Sequence, residues 1–213
     1  QVDLIDLCLA EDAEAELDRY FTGRQPDLVG LTLRNVDDCF WPSAQSFLPE
    51  LLADVAAVRR RTDAPIVLGG VGDSLFPQRI LEATGADFGI HGDGEQALIQ
   101  LLGQIRGGRH WEHVDGLLFW RGGRVIANSP AWPQRISVAS SRDLADNATY
   151  FRRGGQIGIE TKRGCQRRCI YCADPVAKGK TYRCRAAAEV AEEFATLWAA
   201  GIDVVHLCDA EFN

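Results

Sequence analysis

Residues 164–174 read GCQRRCIYCAD and place Cys165, Cys169 and Cys172 at C-x3-C-x2-C within a run of basic residues. Upstream lies a short apolar strand signal, QIGIETKRG (156–164). Downstream lies AAAEVAEEFATLWAAG (186–201), a helix pattern closed by Gly201, and then IDVVHLCDAEFN (202–213), a second strand pattern. Strand, helix and strand in that order predict a parallel βαβ unit with the three cysteines in the loop after its first strand. Thiolates hold iron–sulfur clusters, and close spacing lets one loop supply several at small entropic cost. Three cysteines cannot cap all four irons of a [4Fe–4S] cube, so one iron is left open. Zinc asks for a fourth protein ligand, usually from a second pair, and no such pair follows. Lys162, Arg163, Arg167 and Arg168 surround the loop, where cations lower thiol pKa and offset cluster charge.

The region before this unit shows the same alternation. VDLIDLCL (2–9) reads as a strand and EDAEAELDRYFTG (11–23) as a helix closed by Gly23. PDLVGLTLR (26–34) reads as a second strand, followed by the loop NVDDCFWPSA (35–44) and the helix QSFLPELLADVAAVRRRT (45–62). APIVLGGVG (64–72) is a β-branched strand running into glycines, PQRILEATG (77–85) a short helix, ADFGIHGDGE (86–95) a strand and turn, and EQALIQLLGQIRGG (95–108) a further helix. This repetition predicts a doubly wound α/β domain over 1–110. VDGLLFWRGGRVIANSP (114–130) changes period and reads as a hairpin, so 111–156 is assigned to a hairpin and linker. Residues 157–213 form the second α/β region.

Composition narrows the function. The chain has 213 residues, net charge −7 and pI about 5.1, which gives no electrostatic case for nucleic acid or an anionic membrane. No apolar run approaches membrane-spanning length and no secretory signal is present, so a cytoplasmic location is expected. Seven cysteines, odd in number and unevenly spaced, argue against a disulfide framework. Cys8, Cys39, Cys184 and Cys208 read as small buried hydrophobes, and the scattered tryptophans as packing. The basic run from Lys162 to Arg185, with Asp174 inside it and Glu160 before it, reads as a solvent-facing balance to the cluster. The absence of methionine, and an end at a newly formed strand, predict a piece of a longer protein.

The motif CQRRCIYC, with an aromatic before its last cysteine and a position after the first strand of a βα barrel, resembles the radical S-adenosylmethionine superfamily. The resemblance implies that Cys165, Cys169 and Cys172 ligate the cluster, that S-adenosylmethionine chelates the open iron, and that Tyr171 lies near the adenine. Asp209 and Glu211, at the carboxyl end of the second barrel strand, become candidates for the amino group of S-adenosylmethionine or the open iron. Preceded by PDLVGLTLR, IVLGG and ADFGIHGDGEQAL, the motif resembles the cobalamin-binding members of that superfamily. The implied fold is a Rossmann-like doubly wound cobalamin-binding domain followed by the start of a partial (β/α) barrel.

The same resemblance places Arg34, Asn35, Val36 and Asp37 in the loop nearest the corrin. It places Gly69, Gly70 and Val71 beside the nucleotide tail, and Gly92, Asp93, Gly94 and Glu95 in the neighbouring loop. No D-x-H-x-x-G is present, so no histidine of this region is expected to ligate cobalt. Arg34 becomes a candidate catalytic residue, a cation disfavouring an axial ligand, with Glu211 as the second. The implied activity moves a methyl group from S-adenosylmethionine through cobalt to a carbon of a small natural-product precursor, and the subgroup methylating tryptophan at indole C2 shares these features. An external electron donor for the cluster is implied. Oxidative cyclisation or rearrangement with the same cofactors is the alternative chemistry. An iron–sulfur redox sensor or binding module is the alternative of another class.

Overall fold

In a computed structural model the described residues are 1–136 and 141–212, and they form two compact units. The first comprises residues 9–132. The second comprises residues 1–8 together with the chain from Pro133 onward. No helix among the described residues is long and apolar enough to cross a membrane.

In the first unit, α1 (Ala13–Phe21) starts where the Asp12 side chain accepts from the Ala15 N–H, and Glu14 and Glu16 occupy its electropositive first turn. The elements that follow are β1 (Val29–Thr32), α2 (Leu48–Arg59), β2 (Ile66–Gly69), α3 (Val71–Leu75), α4 (Pro77–Thr84), β3 (Phe88–Ile90) and α5 (Gly94–Arg106). Pro49 opens α2 and Pro77 opens α4, where a missing N–H costs nothing, and Gly85 in the left-handed region ends α4. The strands β4 (Leu117–Arg121) and β5 (Arg124–Ala127) complete the unit.

These five strands form one sheet in the order β1-β2-β3-β4-β5, parallel through β3 and antiparallel from there. Alternation along the strands sorts side chains between the two faces. Val67, Phe88 and Phe119 lie in register and join Ala97 and Leu101 of α5 in one core. Ile66 and Leu68 point the other way and are also fully buried. On each fully buried side chain of this size, about 1.5–3 kcal/mol of transfer free energy favours the folded state.

Three features differ from the sequence expectations. Residues 2–9 form no strand: Val2 is 75% and Leu4 54% exposed, and the first eight residues group with the second unit. A short apolar run with no neighbour to pair with has no ladder to join. The hairpin β4–β5 is not a connector but the antiparallel edge of the first sheet, so the division falls at Trp132 rather than at 110. Within the expected linker, α6 (Asn147–Arg152) is capped by Asp146, and the Tyr150 hydroxyl donates to Asp6. Residues 137–140 of that linker lie outside the described residues.

The second unit pairs β6 (Ile157–Ile159) with β9 (Val205–Leu207) in parallel, with α8 (Ala187–Ala199) between them in sequence. Ile157, Ile159, Leu197 and Ile202 form its core. Between β6 and α8 lie β7 (Lys162–Arg163), α7 (Asp174–Lys178) and β8 (Arg183–Cys184), with β7 and β8 pairing antiparallel. The expected βαβ unit is therefore present, and the cysteine motif occupies the loop after its first strand.

Glu193 ties this unit together from the middle of α8. It accepts from Arg185 Nη1 at 2.5 Å and Arg142 Nε at 2.6 Å, and these two arginines also bond the carbonyls of Glu160 and Gly158. Burial pushes the Glu193 carboxyl up, but the two guanidinium groups outweigh it and hold it below the ordinary range. Arg183 and Arg185 are 2% and 8% exposed. The basic run is thus not wholly a solvent-facing stretch, because the β8 ladder turns these members inward.

Candidate functional site: the cysteine loop and the glycine loops

The β7–β8 ladder pairs Lys162 with Cys184 and Arg163 with Arg183, and so closes residues 164–182 into a single loop. At its base the two limbs almost touch. Gly164 has φ of +83°, and a Cβ there would lie 2.1 Å from the Thr181 carbonyl oxygen, a distance no side chain tolerates. Next to this pinch the Cys165 N–H donates to the Gly179 carbonyl at 3.1 Å, and Cys165 is buried. Cys169 and Cys172 are exposed and joined by a turn in which the Cys172 N–H donates to the Cys169 carbonyl at 3.2 Å. Ile170 and Tyr171, at the tip of that turn, are exposed as well.

One inward and two outward thiols on a closed loop suit a cluster seated against the loop. Among the described residues, no three His, Cys, Asp or Glu side chains converge tightly enough for a single metal ion. Each thiolate of a cubane binds a different iron, so three thiols on one closed loop fit an iron–sulfur cluster.

The two acids of β9's end divide their work. Asp209 accepts from the Thr161 N–H at 2.8 Å, the Lys162 N–H at 3.1 Å and the Thr161 hydroxyl at 2.5 Å, which fastens the end of β9 to the end of β6. Glu211 instead reaches the cysteine loop. It takes a two-pronged bond from Arg167, at 2.8 and 3.2 Å, and one from the Tyr182 hydroxyl at 2.5 Å. Arg167 first, and Tyr182 second, hold the Glu211 carboxyl down to about 2. Glu211 in turn pushes Tyr182 up to about 12. Lys162 Nζ lies 4.8 Å from the Tyr182 ring centre and donates to the Phe212 carbonyl. Thr161 and Tyr182 were not singled out by the sequence, and Arg167 was read only as a cation beside the cysteines, because nothing local links them to residues 209 and 211.

In the first unit, Arg34–Asp37 leave the carboxyl end of β1. The Leu33 carbonyl accepts from the Gly72 and Asp73 N–H groups at 2.9 and 3.3 Å. A Cβ on Gly70 would lie 2.5 Å from that carbonyl oxygen, and one on Gly72 would lie 2.9 Å from the same atom. These two glycines are required by backbone packing between neighbouring loops. Gly69, by contrast, has nothing within 4 Å of its would-be Cβ. Arg34 and Asn35 are exposed, and Arg34 has no ion-pair partner among the described residues. The Val36 carbonyl accepts from the Phe47 N–H, and the Asp37 carboxylate accepts from the Cys39 N–H. This loop carries Phe40 and Trp41 outward, at 61% and 92% exposed, so Trp41 does not pack as expected.

Val71 opens α3. Asp93 precedes α5, and Gly94 and Glu95 are its first residues. The Gly92 N–H donates to Ser74 Oγ at 3.0 Å, and a Cβ on Gly92 would strike the Trp132 ring at 2.9 Å. The Gly69, Arg34 and Gly92 segments thus share the carboxyl edge of the three parallel strands, where open α/β sheets bind ligands.

Asp73, in α3, escaped sequence reading. It is fully buried with neither carboxylate oxygen hydrogen-bonded, and burial pushes its pKa up to about 7. Opposite it, Gly89 leaves room: a Cβ there would lie 4.0 Å from Asp73 Oδ2. An acid beside glycines reads as a surface turn in sequence, and only the fold encloses it.

No family model matches the chain. The chain is 30% identical to the tryptophan 2-C-methyltransferase of Streptomyces laurentii, over 95% of this chain and 42% of that one. Two structures of the radical S-adenosylmethionine methyltransferase TsrM from Kitasatospora setae superpose with a TM-score of 0.86, at 33% and 35% identity, covering 95% of this chain and about two fifths of theirs. One of those structures holds cobalamin and a [4Fe–4S] cluster, the other tryptophan and an S-adenosylmethionine analogue. The cobalamin-dependent enzyme OxsB shares the fold at a TM-score of 0.72 and 19% identity. Over the length it spans, the chain belongs to the cobalamin-dependent radical S-adenosylmethionine enzymes. Within that family its sequence is similar to tryptophan 2-C-methyltransferase, of which it spans about two fifths.

Proposed function

We propose that this chain is the cofactor-holding part of a cobalamin-dependent radical S-adenosylmethionine methyltransferase acting on a carbon of a small molecule, with tryptophan indole C2 as the favoured acceptor. The observation that carries the reading is the closed loop bearing Cys165, Cys169 and Cys172 at the end of a parallel barrel strand. The 30% identity to a tryptophan C2-methyltransferase over nearly the whole chain favours methyl transfer over cyclisation.

In this reading Cys165, Cys169 and Cys172 hold the cluster, and Tyr171 borders the adenine. Asp209 positions the loop's entry through Thr161 and Lys162. Glu211, ionised across the physiological range by Arg167 and Tyr182, presents a carboxylate beside the cysteine loop. Arg34, Asn35, Val36, Asp37, Gly69, Gly70, Val71, Gly92, Asp93, Gly94 and Glu95 border the corrin and its tail. Arg34, exposed and without an ion-pair partner among the described residues, supplies a cation there. When bound, cobalamin supplies a metal that accepts and passes on a methyl group, and the cluster supplies the docking iron for S-adenosylmethionine. The residues position both and exclude water. A cytoplasmic setting with an external electron donor completes the proposal.

The test is anaerobic purification of the full gene product with cobalamin supplied, then iron, sulfide and cobalt analysis and incubation with labelled S-adenosylmethionine and tryptophan. About four irons and one cobalt per chain, with label in 2-methyltryptophan, is the expected result. Iron without cobalt would remove cobalamin and methyl passage through it. Both cofactors with label in no carbon of any acceptor would favour the cyclisation chemistry.

A further inference from the structure

The buried charge inside the cysteine loop is Arg183. It stands in β8, opposite Arg163 of β7, at the point where residues 164–182 close on themselves. It is 2% exposed and heads the fully buried side chains in size. Its Nη2 donates to the Lys178 carbonyl at 2.5 Å. The next carbonyl along the chain, that of Gly179, accepts from the Cys165 N–H at 3.1 Å. Two successive carbonyls therefore link the guanidinium to the backbone of the buried cysteine. Consecutive residues lie about 3.8 Å apart, so the charge and Cys165 are separated by no more than a few peptide units of packed protein. Ala177 and Cys165 are buried with it.

A guanidinium stays protonated at any accessible pH, and taking one out of water is costly unless an anion or good acceptors compensate. Carbonyl oxygens supply part of that compensation. A cluster carried by three thiolates is anionic, and reduction adds one more negative charge. A fixed cation in a water-poor loop favours the reduced form. Solvent screens the neighbouring Arg167 far more, because its side chain is 67% exposed.

Resting on the cluster reading above, we propose that Arg183 is a positioning residue of the cysteine loop that also sets the cluster's reduction potential through its buried charge. The role is independent of Glu211 and of S-adenosylmethionine, and it can be read in the resting cluster.

The experiment compares Arg183→Gln, which keeps a hydrogen-bond donor but removes the charge, with Arg183→Lys, which keeps the charge but not the fork. Both are made in the full gene product and purified anaerobically. Iron and sulfide are counted, and the midpoint potential is taken by electron paramagnetic resonance during a redox titration. The expected result is wild-type iron in both variants. The reduced-to-oxidised ratio at fixed potential should fall about tenfold in Arg183→Gln, about 59 mV for a one-electron couple, with little change in Arg183→Lys. The proposal is overturned if Arg183→Gln titrates at the wild-type potential, or if Arg183→Lys shifts as far as Arg183→Gln. It is also overturned if both variants lose iron to the same extent, which would leave Arg183 a purely structural strut. If Arg183→Gln does not fold, Arg183→Lys decides: an unchanged potential supports the charge role, and a tenfold change ends it. Wild-type protein without iron would instead sink the cluster reading itself.

Discussion

The two units build their loops by opposite means. At the carboxyl edge of the first sheet, loops meet backbone to backbone: Gly70 and Gly72 let the β1 and β2 loops touch, and an apolar core behind them supplies the rigidity. In the second unit the sheet has only two parallel strands, and charge does the holding. Asp209 fastens strand ends, Glu211 grips the loop, Glu193 locks α8, and Arg183 fills the loop's interior. The difference teaches where each site is fragile. In the first unit the loops are constrained by volume at Gly70 and Gly72. The second unit depends on particular polar partners, apart from one pinch at Gly164.

The sharpest way to break this comparison is at the cysteines. Cys165→Ser should abolish cluster assembly, with iron per chain falling to background, while leaving cobalamin content near wild type. Loss of both together would show that the two sites are not built separately. Next in size is Gly164→Ala. With a backbone oxygen 2.1 Å from the new methyl and a left-handed φ, the loop cannot close as drawn. Destabilisation on the order of 3 kcal/mol or more, with poor iron loading, should follow in chemical denaturation and metal analysis. Wild-type stability in that variant would mean the limbs are not pinched.

A third prediction concerns Asp73. Its folded pKa, about 7, lies above the ordinary unfolded value, so the folded state binds the extra proton. The stability this contributes is fully present below about pH 4 and is lost as pH rises to about 7. Asp73→Asn should therefore be near wild type at pH 4 and more stable by about 4 kcal/mol at pH 8, measured by denaturant titration of the two proteins side by side. An equal difference at both pH values would place the carboxyl in water. The smallest effect is Glu211→Gln. Its Arg167 contact is exposed, so stability should hardly move. The Tyr182 phenol should nonetheless fall from about 12 towards its ordinary value, read by ultraviolet titration of phenolate. An unchanged titration would separate Tyr182 from Glu211.

Much of this was legible beforehand, for stated physical reasons. The spacing of Cys165, Cys169 and Cys172 is a local property, since cysteines within eight positions need no distant partner to stand out as a motif. The helices α2, α4, α5 and α8 and the strands β2, β3 and β6 followed from periodicity and from glycine and proline stops. The expected strand at 2–9 was wrong because an apolar run becomes a strand only when a neighbour offers a ladder. Nothing local in the sequence told that a Cβ at Gly70 or Gly72 would meet the backbone of the neighbouring loop. Trp41 looked like packing and proved to be exposed.

By itself, then, the sequence determined which three cysteines stand close enough to be proposed as cluster ligands, that two α/β units follow one another, and that it holds no D-x-H-x-x-G motif. Those properties are written in spacing and period. The tertiary structure alone decided that Asp209 serves the backbone while Glu211 serves the loop, that Asp73 is sealed without a partner, and that Arg183 lies inside the loop rather than in solvent. Each of these is a matter of burial or of contact across tens of residues. A charged side chain carries no local mark of the side of the surface on which it will fall.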